Sequence, residues 1–239
     1  MRTAARPSSL GLGRQPADRA ANGAPVNTQS LLEFVHRGET FAVIDKPSGL
    51  LSCPGRAPEL YDSVETRVPR VIPGAHGSIL AHRLDQATSG LLVVALDPPT
   101  HRALRLQFEA RTVQKSYEAV LIGEVHGESG TLSLPFRLDV ERRPHQIYDP
   151  VHGKLGVTEW RVLARSPGRT RVEFTPHTGR THQLRVHAAH ALGLGCPIAG
   201  DALYGDPSSA PRLLLHAKAL SFDHPQTGER LHFSSPVPF

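Results

Sequence analysis

The 239-residue chain is 39% hydrophobic and 21% charged, which is typical of a soluble globular protein with one large domain or two small ones. Its two isolated cysteines, Cys53 and Cys196, argue against a disulfide scaffold and favour a reducing, cytoplasmic location. No apolar run is long enough to span a bilayer, so no membrane partner is expected. The formal net charge of +5 suits a polyanionic partner such as RNA, but it also suits a mildly basic enzyme without one.

Residues 1–28 differ in composition from the rest of the chain. They are rich in Ala, Gly, Pro and Arg, and they contain one acidic residue, Asp18, and no aromatic residue. Such a segment buries too little apolar surface to offset its ordering entropy, which predicts a disordered basic tail. An organellar transit peptide is the alternative interpretation. Residues 29–239 are expected to form the folded domain.

The first half of this domain predicts strands alternating with short helices. Residues 41–44 predict a strand that ends at a Pro-Gly turn, and residues 62–68 predict a short helix. Residues 91–96 are uniformly apolar and predict a buried strand. Asp97 followed by Pro98 predicts the N-cap and the first residue of a second helix.

The second half is richer in strands. Residues 117–122 predict one strand, and residues 158–164 and 171–174 predict an antiparallel pair. Residues 181–192 predict a helix that is closed by Gly193 as a C-cap. Two further strands are expected within residues 213–233. Because the helices do not alternate strictly with the strands, we predict an α+β domain with a mixed, largely antiparallel sheet.

A polar loop precedes the buried strand at residues 91–96. It reads His82-Arg83-Leu84-Asp85-Gln86-Ala87-Thr88-Ser89-Gly90. Asp85 would therefore be fixed at the edge of a rigid element, which is where chemistry is positioned best. Taken alone, a turn aspartate more often caps backbone amides. Arg83 is close enough in sequence to help keep the carboxylate ionised.

Two later segments carry further candidate site residues. Lys115-Ser116-Tyr117-Glu118-Ala119 lies on a predicted strand, where Tyr117 is either a half-buried strand tyrosine or a surface for stacking a base. The segment at residues 176–187 contains Arg180 and Arg185, which need not share a helix face and can serve different partners. A solvated helix face is the alternative role for both arginines.

These segments resemble the HRLDxxTSG, KxYxA and TGRxHQxRxH motifs of the RluA class of RNA pseudouridine synthases. Similar segments near residues 45–52, 197–205 and 211–217 extend the resemblance, in order, over roughly residues 30–239. The resemblance implies the pseudouridine synthase fold with a catalytic cleft, in one catalytic domain without a separate S4-type RNA-binding domain. It implies isomerisation of uridine to pseudouridine in RNA, without a cofactor or a metal.

The resemblance also implies roles for individual residues. Asp85 would be the catalytic carboxylate, Tyr117 would stack on a flipped uracil and assist proton removal from C5, and Arg185 would keep Asp85 ionised. Whether Asp85 attacks the nucleotide or abstracts a sugar proton stays open. The implied substrate or RNA contacts are Arg83, Leu84, Lys115, Arg180 and Leu184.

The implied partner is RNA, either tRNA at an anticodon-loop uridine, large-subunit ribosomal RNA, or both, and we expect a monomer. A noncatalytic RNA-binding protein on the same fold is the main alternative. A zinc site at His182, His187 and His190 is disfavoured, because neither a cysteine pair nor an HExxH motif completes a ligand set. A hydrolase and a kinase are disfavoured because a GxSxG elbow, a glycine-rich loop and a DFG motif are missing.

Overall fold

The computed structural model of the chain describes Met1 and residues 32–239, and residues 32–239 form one compact unit. Apart from Met1, the tail predicted at residues 1–28 lies outside the described residues. Within residues 32–239, ten strands and three α-helices are present. The strands are β1 (Glu33–Arg37), β2 (Phe41–Lys46), β3 (Ser89–Ala95), β4 (Gln114–Ile122), β5 (Ser129–Leu138), β6 (Gln146–Tyr148), β7 (Lys154–Ser166), β8 (Arg169–Pro176), β9 (Leu215–Asp223) and β10 (Arg230–Ser234). The helices are α1 (Val64–Val71), α2 (Pro98–Ala110) and α3 (Gln183–Ala189).

All ten strands belong to one sheet with the order β1-β2-β3-β9-β4-β8-β7-β5-β6, and β10 pairs with β9. Each pair is antiparallel except β3 with β9, which is parallel. The predicted α+β class with a mixed, largely antiparallel sheet is therefore confirmed. Within residues 32–239, no helix combines the length and the apolar character that crossing a bilayer requires.

The parallel contact between β3 and β9 joins the two halves of the sheet and requires a glycine. Gly90 lies opposite Ala217 and has a φ of +109°. A Cβ atom at this position would lie 2.4 Å from the Ala217 carbonyl oxygen, so a larger residue would push the strands apart. The loop that carries Asp85 therefore enters the sheet at a tightly defined place.

Strand β3 forms the centre of the core. All seven of its residues are buried, and they include residues 91–95, for which the apolar sequence predicts a buried strand. Leu92 and Val94 pack in the cluster that contains α1, whereas Leu91 and Val93 pack on the other face with Leu104 of α2. Because both faces of β3 are covered, the loop before it starts from one of the most rigid parts of the molecule.

Most predicted elements are present, with shifted ends. Asp97 is the N-cap of α2, where its carboxylate accepts the Thr100 backbone N–H, and Pro98 is the first helical residue. The helix predicted at residues 181–192 is shorter and ends at Ala189, so the prediction of Gly193 as its C-cap is wrong. Gly193 instead allows a close backbone approach, since a Cβ there would lie 2.1 Å from the His187 carbonyl oxygen. Strands β1, β5 and β6 were not predicted from the sequence.

Candidate active site

The loop that carries Asp85 is held on both sides of the carboxylate. Ser52 Oγ donates to the Leu84 carbonyl over 2.7 Å and accepts the Leu84 backbone N–H over 3.0 Å. On the other side, the Gly49 backbone N–H donates to the Gln86 carbonyl over 2.8 Å. These contacts tie residues 84–86 to the segment between β2 and α1, so the backbone of Asp85 is fixed before any substrate binds.

Lys46, the last residue of β2, completes this support. It is fully buried, and its Nζ donates to the carbonyl oxygens of Pro47, Leu50 and Gln86 at 2.8–3.1 Å. Burial lowers the pKa of Lys46 to about 7, against the opposing attraction of the Asp85 carboxylate. Lys46 thus links the turn after β2 to the residue that follows Asp85.

Asp85 lies beside two nitrogen-bearing side chains of the α3 region. Arg185 Nη1 and His182 Nε2 are each 4.0 Å from Asp85 Oδ2. The Asp85 side chain is 26% exposed, whereas both neighbours are almost completely buried. At these distances neither group is hydrogen-bonded to the carboxylate, which is attracted electrostatically but remains open to a ligand.

Arg185 has a second carboxylate partner, and the contact with it is closer. Its Nε donates to Asp201 Oδ2 over 2.8 Å, and its Nη2 donates to Asp201 Oδ1 over 2.5 Å. Asp201 is fully buried and also accepts the backbone N–H groups of Leu203 and Tyr204. Burial alone would raise the pKa of Asp201, but the hydrogen bonds from Arg185 outweigh it, so its net pKa is lowered. Arg185 is therefore fixed by Asp201 and presents only Nη1 towards Asp85.

Tyr117 lies on β4 and reaches the same site from the sheet. It is half-buried and packs against both of the hydrophobic clusters that meet behind the loop. Burial, with a contribution from the Asp85 carboxylate, raises the pKa of the Tyr117 phenol above its ordinary value. The ring is therefore a neutral, firmly supported surface on which a planar base can stack.

These side chains line one large cleft of about 1330 Å³ between the Asp85 loop, β4 and residues 175–185. Each residue that the sequence predicted for the site lies on its wall. They are Arg83, Leu84, Asp85, Lys115, Tyr117, Arg180, Leu184 and Arg185. A second cleft of about 610 Å³ meets the first at Asp85 and shares Arg83, His182 and Arg185 with it. Asp85 thus stands where two depressions join.

The large cleft is lined by more basic than acidic side chains. Its wall carries six arginine or lysine residues and only two carboxylates, Asp85 and Glu109. Among residues 32–239, neither Arg83 nor Arg180 has a carboxylate within 4 Å, and both are exposed. Arg83 Nη2 reaches Thr181 Oγ1 at 3.4 Å, and Arg180 Nε reaches the Leu155 carbonyl at 3.3 Å. Their remaining donors are available to the phosphates of a nucleic acid.

Sequence reasoning assigned no role to four residues of the site, namely Lys46, His182, Asp201 and Tyr204. Asp201 and Tyr204 belong to the PIAGDALYG segment, whose resemblance to a family motif was the one available signal. Lys46 lies in a segment that was interpreted as a turn and that also resembles a family motif, but nothing in its local pattern indicates burial. His182 was weighed as a metal ligand, with helical packing or RNA contact preferred, and no contact with Asp85 was predicted for it. Within the described residues, no cluster of three His, Cys, Asp or Glu side chains is arranged to hold a metal ion.

The chain is similar to proteins of established class. Residues 40–190 match the protein family described as RNA pseudouridylate synthase. The dual-specificity RNA pseudouridine synthase RluA of Haemophilus influenzae is 44% identical over 212 residues, which cover 87% of this chain and 94% of that protein. Its counterpart of the same name from Escherichia coli K12 is 43% identical over 212 residues, with the same coverage. The solved structure of human RNA pseudouridylate synthase domain containing 1 has a TM-score of 0.72 and 30% identity, and the match covers 90% of this chain and 87% of that one.

Proposed function

The chain belongs to the RNA pseudouridylate synthase family, and we propose that it isomerises uridine to pseudouridine within RNA, with Asp85 as the catalytic carboxylate. One observation carries the assignment of the site. Asp85 is held by its backbone at the junction of two clefts, while its carboxylate accepts no close hydrogen bond from Arg185 or His182. A carboxylate that is fixed but left open is suited to react with a bound nucleotide.

The reaction moves the base without any redox change. The bond between N1 of uracil and C1′ of ribose breaks, a bond between C5 and C1′ forms, C5 loses its proton and N1 gains one. Asp85 starts this either as a nucleophile towards the nucleotide or as a base towards a sugar proton, and both routes need the ionised carboxylate. Arg185 brings a positively charged Nη1 to 4.0 Å from Asp85 Oδ2.

Tyr117 is suited to hold the uracil while it is detached from the sugar. A uridine within a stacked RNA has to flip out before Asp85 can reach it. The neutral ring of Tyr117 offers a face for the flipped base, and Leu84 and Leu184 add apolar wall beside it. The phenol, whose pKa is raised, keeps its proton at neutral pH, so Tyr117 acts on the base through the face of its neutral ring rather than as the base that accepts the C5 proton.

The charge of the large cleft supports an RNA loop as the substrate. Arg83, Lys115 and Arg180 line it and can neutralise several phosphates around one flipped nucleotide. We propose that the RNA is tRNA, at an anticodon-loop uridine, and 23S ribosomal RNA, because relatives that resemble nearly the whole domain carry the name dual-specificity synthase. We further propose that the protein acts as a monomer in the cytoplasm.

Tritium release tests this function directly. RNA transcribed with 5-tritiated uridine loses tritium to water when the C5 proton leaves. Separate tRNA and 23S rRNA transcripts are incubated with the full chain, and Asp85→Asn is assayed beside it. Release by the wild type alone is expected. Retained RNA binding without release from either transcript would favour the noncatalytic RNA-binding alternative.

A further inference from the structure

His182 has an unusual backbone for its position. It is the N-cap of α3, yet its φ of +56° and ψ of +18° place it in the left-handed region, and its side chain makes no capping hydrogen bond. Glycine or asparagine occupies this region with less strain, and serine or aspartate caps a helix better. A buried histidine held in this conformation indicates a function for its ring.

The ring contacts favour one tautomer. His182 Nδ1 lies 2.8 Å from the phenolic oxygen of Tyr204. That oxygen also accepts the Gln146 backbone N–H over 2.8 Å, so the single hydroxyl hydrogen of Tyr204 is free for Nδ1. A neutral imidazole that accepts at Nδ1 carries its hydrogen at Nε2. Nε2 is the atom that faces Asp85, at 4.0 Å from Oδ2.

The protonation states agree with this arrangement. Burial raises the pKa of Tyr204 to about 12, which keeps its hydroxyl hydrogen in place. Burial also lowers the pKa of His182, against the opposing effect of Asp85, so the ring is neutral at neutral pH. The other charged or titratable groups that act on it are Arg185, Asp201 and His145. A neutral donor at Nε2 leaves the negative charge on Asp85 intact.

We propose that His182 is a positioning residue for Asp85, with its Nε2–H directed by Tyr204 towards Oδ2. This inference rests on the proposed function. Arg185 Nη1 approaches the same oxygen, so two donors converge on Oδ2 and leave Oδ1 for the nucleotide. The separation of 4.0 Å exceeds a hydrogen bond, and we expect it to shorten when RNA fills the cleft, as hydrogen bonds in empty active sites often do.

The kinetic test uses two replacements at one position. His182→Leu removes the donor but keeps an apolar side chain, whereas His182→Gln offers an amide N–H in its place. We expect His182→Leu to lower kcat for tritium release by about 10- to 100-fold, the effect of one hydrogen bond to a charged group, with KM changed less than about twofold. His182→Gln should lose less activity, so that its decrease in log kcat is at most about half of the decrease in His182→Leu.

His190→Leu is the matched control, since His190 lies at the other end of α3 and lines neither cleft. It should leave kcat and KM at wild-type values. Wild-type kcat in His182→Leu would overturn the proposal. Equal losses in His182→Leu and His182→Gln, with unfolding temperatures matching the wild type, would overturn it as well, because the donor would then be irrelevant.

The spectroscopic test needs no RNA. In protein labelled with ¹⁵N-histidine, the signals missing from His182→Gln belong to His182, and they should show a neutral ring with hydrogen at Nε2. Tyr204→Phe should shift these signals towards a mixture of tautomers. An Nδ1–H tautomer in the wild type, or no change in Tyr204→Phe, would contradict the tautomer argument. If the wild type released no tritium, the proposed function would fail, and these signals would still decide whether Tyr204 directs His182.

Discussion

Arg185 lies between two carboxylates whose surroundings differ sharply. Asp201 is fully buried and holds the guanidinium through two hydrogen bonds, and it also accepts two backbone N–H groups. Asp85 is partly exposed, and its nearest contact with the same arginine is 4.0 Å. A carboxylate that accepts four hydrogen bonds within the protein serves the structure, whereas one that its neighbours approach only to 4.0 Å stays free to react. The same arginine therefore has a structural partner and a reactive partner.

The largest expected effect is a loss of activity when Asp85, the reactive carboxylate of the two, is replaced. Asp85→Asn is nearly isosteric and should lower tritium release by at least about a thousandfold, since the reacting charge is gone. The unfolding temperature should change by less than about 2 °C, because Asp85 makes no close side-chain hydrogen bond to Arg185 or His182. Full activity in this variant would show that Asp85 is not the catalytic carboxylate.

The next largest expected effect is a loss of stability when Asp201, the structural carboxylate, is replaced. Asp201→Asn removes the charge that compensates the buried guanidinium of Arg185 and should cost about 3–5 kcal/mol of unfolding free energy. Urea denaturation of the wild type, Asp201→Asn and Asp85→Asn measures the difference. An equal loss in the two variants would mean that Arg185 uses both carboxylates alike.

Lys46 is a third buried charged group near the site, and unlike Arg185 it donates only to backbone carbonyls. Its folded-state pKa of about 7 is below the ordinary value of 10.5, so the unfolded chain binds more protons between these values. Unfolding free energy should therefore rise, by about 1 kcal/mol or more, as pH increases from 7 to 9. Lys46→Met should lack this contribution. Urea denaturation of both proteins at each pH measures it, and parallel pH profiles would contradict the low pKa.

The smallest expected effect concerns an exposed arginine of the cleft. Arg180→Gln should weaken RNA binding and reduce the slope of log affinity against log salt by about 0.7–0.9, which corresponds to one phosphate contact. Arg102→Gln, an exposed change on α2 away from both clefts, should leave the slope unchanged. Filter binding at several salt concentrations makes the comparison. An unchanged slope in Arg180→Gln would show that Arg180 makes no phosphate contact.

Local sequence determined much of this protein. The apolar run at residues 91–96 encodes β3, and the Asp97-Pro98 pair encodes the start of α2, because these signals lie in the residues themselves. The resemblance of the motifs indicated the family and gathered eight site residues that do line one cleft. The end of α3 was predicted wrongly, because Gly193 is required by a contact with the His187 carbonyl rather than by a cap.

Only the tertiary structure decided how the site residues pair. Asp85 and Asp201 are distant from each other in sequence, so their competition for the Arg185 guanidinium becomes visible only when the sheet brings α3 to the loop before β3. The same holds for Lys46, whose burial follows from three carbonyls supplied by two loops. Burial and hydrogen-bond geometry depend on neighbours that are remote in the chain, and a local pattern carries no record of them.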